Sequence, residues 1–178
     1  RILVCKKCWL VQTEDYTSAE ELFNDEYSYF SSTSSSWLNH ASNYCEHITQ
    51  KLKLSKDSFV VELASNDGYL LKNFVKLGIP CLGIEPTKKT AQVSRDLGVD
   101  VKEVFFSKSV ALQLEAEGRK ADLIIGNNVY AHVPDINDFT KGLKAALKPG
   151  GVITLEFPHL MRLIEQSQFD TIYHEHFS

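Results

Sequence analysis

The 178 residues are 43% apolar and 24% charged, a balance that can bury a core and excludes wholesale disorder. Acidic residues number 23 against 19 basic ones, for a net charge of −4; with no Lys/Arg cluster, a nucleic-acid partner is not expected. No apolar run approaches the roughly 20 residues that span a bilayer, so no membrane partner is expected either.

The length suits one domain of ordinary size with a small appendage. The chain starts at Arg1 rather than Met, shows no signal peptide and stops at HEHFS, so it reads as a piece of a longer protein. Cysteines stand at 5, 8, 45 and 81. That is too few for a disulfide framework, and a reducing cytoplasm is the expected location.

Residues 1–13 form a short segment carrying the pair Cys5 and Cys8. Residues 14–57 are polar, aromatic and Ser-rich up to a helix, in which Trp37, Ala41, Tyr44, Cys45, Ile48 and Leu52 make one apolar stripe. The serines before it include good N-caps.

From residue 58 the pattern is strand, turn, helix, repeated. Strands are expected at Phe59–Leu63, Cys81–Ile84, Val99–Phe105, Asp122–Gly126 and Val152–Phe157. Helices are expected around Leu70–Leu77 and over 88–97, 108–117 and 135–147, with Pro149, Gly150 and Gly151 turning the chain into the last strand. Alternation at this spacing predicts an α/β fold, a doubly wound, mostly parallel Rossmann-like sheet with an N-terminal helical, Cys-bearing appendage. Ligands of such sheets bind at the carboxyl ends of the strands, so the strand-to-helix turns are where candidate sites belong.

The first turn contains Glu62, Ala64, Ser65, Asn66 and Gly68. Small residues let a ligand approach the backbone closely, although Ala64 and Asn66 stand where a dinucleotide fingerprint has glycine. An ordinary Asn-Asp-Gly turn reads equally well. Glu85, 23 residues after Glu62 and followed by Pro86, suits the two hydroxyls of an adenosine ribose, or else caps the next helix. The fourth strand ends in Asn127 and Asn128, followed by Tyr130 and His132. These side chains can line a pocket, although Asn is common in turns and His132 suits a core position as well.

These turns, with the Pro-Gly-Gly before the fifth strand, resemble the class I S-adenosylmethionine-dependent methyltransferases over residues 58–157. A nicotinamide-binding fold shares the first two turns but not usually the Asn-Asn strand end. The stretches VVELASNDGYLL, LGIEP, NNVYAHVPDINDF, LEFPHL and QFDTIYHEHFS together resemble a narrower family, the C-methyltransferases of nucleotide-linked 4-keto-deoxyhexoses. That resemblance implies S-adenosylmethionine as cofactor and a zinc-binding domain ahead of the core. Cys5 and Cys8 would be half of its structural zinc site, with the other pair upstream. Tyr27 and Tyr29 would lie in the linker on the substrate side with His132, and residues 58–178 would be the cofactor-binding core. The resemblance also implies a C-terminal domain after the core, which is expected to lie outside these 178 residues.

Methylating a carbon requires a proton to leave first, so a base and a group steadying an enolate are needed. Tyr173, His174, Glu175 and His176 are the candidates. In an extended segment the two histidines share one face, and a His near neutrality suits a base. The resemblance favours His176, with His174 second. A metal site on the two histidines and a purely structural role are the rival readings. A methyltransferase acting on oxygen or nitrogen would not need this cluster, and a binding-only remnant would not use it.

Overall fold

A computed structural model describes residues 1–14, 18, 21, 23 and 29–168. The Cys-bearing segment forms a small antiparallel ribbon, β1 (Ile2–Val4) and β2 (Val11–Thr13). Its turn is closed by Cys5 N–H on the Leu10 carbonyl and Trp9 N–H on the Cys5 carbonyl, both at 2.9 Å.

A 3-10 turn at Ser31–Thr33 leads into α1 (Ser35–Leu52). Ser34 caps α1 by accepting the Trp37 N–H, which satisfies one of the orphan donors of the first turn. The apolar stripe packs as its spacing predicts: Ala41, Cys45 and Ile48 are buried, and Trp37, Tyr44 and Leu52 lie against the same core.

The following elements alternate. They are β3 (Val60–Leu63), α2 (Leu71–Lys76), β4 (Cys81–Ile84), α3 (Lys88–Asp96), β5 (Asp100–Lys102) and α4 (Lys108–Ala116). Then come β6 (Ala121–Asn127), a 3-10 turn (Tyr130–His132), α5 (Ile136–Ala146), β7 (Leu147–Glu156) and α6 (Leu160–Glu165). The large sheet has the order β5-β4-β3-β6-β7, and every pairing in it is parallel.

Each strand side chain alternates between the two faces. Val60, Cys81, Val101, Leu123 and Ile125 face α1, α2 and α3. Val61, Leu63, Leu82, Ile84 and Ile124 face α4 and α5. The sheet is therefore doubly wound, as the alternation of elements predicts. After β5 the chain returns to the far side of β3, so the order reverses between β3 and β6. In this architecture that reversal opens a crevice at the carboxyl edge.

Most boundaries shift by a residue, and three differences have a visible cause or consequence. The strand expected over Val99–Phe105 shrinks to Asp100–Lys102, because Val104 N–H turns back onto the Lys102 carbonyl. Leu77 lies beyond α2 and is exposed. β7 begins at Leu147, not after the glycines. Leu147 pairs with Ala121 and Val152 with Leu123, so the residues between form a bulge inside the strand, with Gly150 at φ 80°. A bulge of this kind needs the left-handed backbone that glycine adopts without strain.

Candidate functional site

The turn after β3 is built around two left-handed residues where the fingerprint would have glycines: Ala64 at φ 52° and Asn66 at φ 50°. Gly68 follows at φ 75°, and a Cβ on it would stand 2.6 Å from Ser94 Oγ. Gly83 on β4 is constrained from the other side, since a Cβ there would meet Ser65 Oγ at 2.3 Å. The turn thus presses against β4 and α3 so closely that side chains are excluded at both glycines.

Long-range bonds hold this shape. Asn66 Oδ1 accepts from Ser31 N–H at 3.0 Å, and Asp67 Oδ2 accepts from Ser32 N–H at 3.0 Å. Asn66 Nδ2 donates to the Tyr29 carbonyl at 2.9 Å. The segment ahead of α1 is therefore strapped across the turn, and the Tyr29 side chain on it is exposed.

Glu85, at the end of β4, is buried and ties two turns together. Its Oε2 accepts from Asn66 N–H and its Oε1 from Thr87 N–H, both at 2.9 Å. Thr87 is the N-cap residue of α3, so Glu85 braces the residue ahead of the helix and does not cap the free N–H groups of its first turn. An ionised carboxylate has about four acceptor sites; these two bonds leave about two. Pro86 sits half-buried between Glu85 and Thr87.

Glu62, the third residue of β3, is fully buried. Its carboxyl is held well above the usual range, first by burial and then by the charges of Glu85 and Asp67. Glu62 Oε2, Asp67 Oδ1, Ser65 Oγ and Ser94 Oγ are buried without a partner. So dense a group of orphaned polar atoms costs stability unless a ligand or solvent satisfies them.

Because the folded state raises Glu62's proton affinity, the unfolded chain releases that proton first as pH rises. The group's contribution to stability is full below the ordinary Glu range and drains as pH climbs toward the raised value. Glu62→Gln keeps the size and never ionises. Its melting temperature should therefore gain on that of the unsubstituted protein between about pH 5 and pH 8, by a few degrees, each kcal/mol being worth roughly 2–4 °C in a chain of this size. A difference constant across that range would assign Glu62 the same proton affinity folded and unfolded.

Across the crevice, β6 ends in Asn127. Facing it is Tyr69, whose phenol burial pushes far above its ordinary value. Asn128, at φ 52°, turns its side chain onto Glu156 at the end of β7. Tyr44 of α1 bonds Thr154 on β7 at 2.6 Å, and burial raises its phenol to about 12. His132 lies in the 3-10 turn, edge-on to Phe23 with centroids 5.7 Å apart.

The crevice therefore gathers Glu62, Ala64, Ser65, Asn66, Gly68, Glu85, Pro86, Asn127 and Asn128, with Tyr29 at its strap. Asp67 adjoins them through its Oδ2 on Ser32 N–H, while Trp37, His40, Tyr69 and Glu156 form a separate run of stacked rings and a hydrogen bond that the sequence reading does not single out. Tyr27 and the cluster Tyr173, His174, Glu175 and His176 lie outside the described residues.

The pair Cys5 and Cys8 stands apart, on the β1–β2 turn. The Cys5 thiol is drawn below its ordinary range by the backbone N–H groups of Cys8 and Lys7 and by the Cys8 side chain. Among the described residues no cluster of three or more His, Cys, Asp or Glu side chains could hold a metal. Beside the ribbon is a cavity of about 440 Å³ walled by Trp9 and Val11 on one side and by Tyr130, Phe157 and Met161 on the other.

A family model described as a methyltransferase domain matches residues 27–178. The chain belongs to that family. Among curated proteins, it is 33% identical to C-methyltransferase NovU of Streptomyces niveus over 99% of this chain and 42% of that protein. It is 26% identical to the ubiquinone biosynthesis O-methyltransferase of Actinobacillus pleuropneumoniae serotype 5b (strain L20), over 61% of this chain and 49% of that protein. The chain thus spans less than half the length of these two relatives. Among solved structures, an S-adenosylmethionine-dependent methyltransferase from Clostridium acetobutylicum ATCC 824 superposes with a TM-score of 0.58 at 16% identity. That match covers 72% of this chain and 54% of the other. The methyltransferase domain thus carries the Rossmann-like fold expected of its class. Among the described residues no helix is long and apolar enough to cross a membrane.

Proposed function

We propose that the protein containing this domain is an S-adenosylmethionine-dependent C-methyltransferase acting on a nucleotide-linked 4-keto-deoxy-sugar through an enolate. The observation that carries the choice of carbon over oxygen is the extent of the likeness. The similarity to the C-methyltransferase spans 99% of the chain, that to the O-methyltransferase 61%.

The crevice fits a cationic nucleoside cofactor on its own geometry. Glu85 keeps about two free acceptor sites for two ribose hydroxyls. Asp67 Oδ1 is an orphaned carboxylate oxygen beside the turn, suited to the positively charged end of such a ligand, and Glu62 Oε2 is a second orphaned oxygen there. The left-handed backbone at Ala64 and Asn66 and the glycine at 68 bring main chain, rather than side chains, to the ligand. When bound, S-adenosylmethionine supplies an electrophilic methyl group.

The remaining task is proton handling on the acceptor. We assign it to His176 as base, with His174 as the second candidate, and to Tyr173 and Glu175 as the groups that orient the substrate and steady the enolate oxygen. Tyr27, Tyr29 and His132 are assigned to the substrate side. Residues 1–13 are assigned to a zinc-binding segment, 14–57 to a linker and helix, and 58–178 to the core. Cys5 and Cys8 would give two of the four ligands that a structural zinc requires. The low proton affinity of the Cys5 thiol suits that use, because the thiolate is the form that binds metal.

The test uses the protein at its natural length. It should transfer a labelled methyl from S-adenosylmethionine to a carbon of a nucleotide-linked 4-keto-6-deoxyhexose, and metal analysis should return one zinc per chain. Label found on oxygen or nitrogen would replace the carbon assignment, and a metal-free active protein would remove the zinc.

A further inference from the structure

The carboxyl edge of β7 holds a polar cluster that the cofactor does not account for. Glu156 lies opposite Asn127 in the β6–β7 register. Its Oε1 accepts from Asn128 Nδ2 at 3.1 Å, and its Oε2 stands 3.2 Å from His40 Nε2. Asn128 N–H also donates to the Glu156 carbonyl at 2.7 Å. Three elements, α1, β7 and the turn after β6, thus converge on one carboxylate.

Two features mark the cluster as a contact surface and not a staple. The His40 and Glu156 side chains keep 53% and 39% of their exposure, so both are open at the crevice rim. Each carboxylate oxygen has spare acceptor capacity after one bond. His40 Nε2 faces Glu156, which leaves Nδ1 as the ring nitrogen open to a ligand, and no described group bonds to it. His40 is also fixed in orientation. It stacks on Trp37 at 5.0 Å between centroids, and Trp37 stacks in turn on Tyr69 at 6.1 Å.

The chemistry offered is a row of acceptors and an amide beside an aromatic face. Hydroxyl groups on a saturated ring match it, each O–H donating to a carboxylate oxygen or to the imidazole nitrogen. A phosphate does not match, because the carboxylate would repel it. Phe157, the next residue, lines the neighbouring cavity.

We propose that His40 and Glu156, set by Asn128 and Trp37, form the subsite that holds the hydroxylated ring of the methyl acceptor. This rests on the sugar reading above and adds the residues that bind the ring.

The protein at its natural length, saturated with S-adenosylhomocysteine, is titrated calorimetrically with the thymidine and uridine diphosphate 4-keto-6-deoxyglucoses and with the two bare diphosphates. His40→Phe keeps the ring stack but not the hydrogen bond, and Glu156→Gln keeps the shape but not the charge. Both variants should bind the keto-sugar nucleotides about 10–100-fold more weakly, the worth of hydrogen bonds to a charged group. Their affinities for bare diphosphate and for S-adenosylhomocysteine should stay at the unsubstituted level. Variants that bind the sugar nucleotides as tightly as the unsubstituted protein would overturn the subsite and leave the sugar reading standing. An equal loss for all ligands, with a lowered melting temperature, would make the cluster a staple and also overturn it. An unsubstituted protein that binds neither sugar nucleotide better than its bare diphosphate would overturn both readings.

Discussion

His176→Asn should lower methyl transfer by about 10²–10⁴-fold, the usual contribution of a positioned general base, while cofactor affinity stays unchanged. The proton next to a ketone is removable only because the resulting charge moves onto oxygen. A base held against that proton converts a rare event in water into a step within the complex. Asparagine preserves much of the shape and polarity of the imidazole but takes no proton near neutrality. The loss should therefore appear as failed exchange of the substrate's α-proton with deuterated water, wherever the unsubstituted enzyme performs that exchange, and this needs no cofactor. The residues proposed to hold the cofactor fall within 62–68, 85–86 and 127–128, none of them in 173–176, so binding of S-adenosylmethionine measured by calorimetry should be untouched. Unchanged turnover would remove His176 from the chemistry. An inactive His174→Asn beside an active His176→Asn would move the base two residues upstream.

How much of this was legible in the sequence depends on the range of the interactions. Strand alternation is local: Val60 and Val61, or Leu123, Ile124 and Ile125, declare opposite faces by their order alone. The stripe on α1 is local too, and it packs as its spacing demands. The start of β7 was misplaced because Pro149, Gly150 and Gly151 carry turn chemistry, which the strand absorbs as a bulge against β6. Leu77 was misplaced because its apolar side chain fits the helical period, yet α2 ends at Lys76. The turn after β3 announced its composition but not its cause. Ala64 and Asn66 are left-handed, and the bonds that hold Asn66 and Asp67 come from Ser31, Ser32 and Tyr29, more than 30 residues earlier. His40 and Glu156 are 116 residues apart, and no spacing rule joins them. Glu156 gave one hint, a carboxylate closing an apolar strand where the sheet opens to ligand.

Glu85→Ala should weaken S-adenosylmethionine binding roughly 5- to 150-fold, or about 1–3 kcal/mol, through the loss of charge-assisted hydrogen bonds to two ribose hydroxyls. The bonds from Asn66 and Thr87 complicate that expectation, since alanine also frees two backbone N–H groups and loosens the turn. Two controls separate these effects. Glu85→Gln keeps an oxygen for one backbone donor and should fall between the two proteins in affinity. A cofactor analogue without the 2′ and 3′ hydroxyls has nothing to offer the carboxylate, so it should bind the alanine variant and the unsubstituted protein almost alike. If Glu85→Ala instead weakens the natural cofactor and the dideoxy analogue by the same factor, Glu85 serves the turn and not the ribose. A melting temperature taken without ligand would then carry the whole effect. The remaining acceptor sites favour the first outcome: a buried carboxylate with only two of about four sites filled is costly in the absence of ligand, and two ribose hydroxyls supply the donors it lacks.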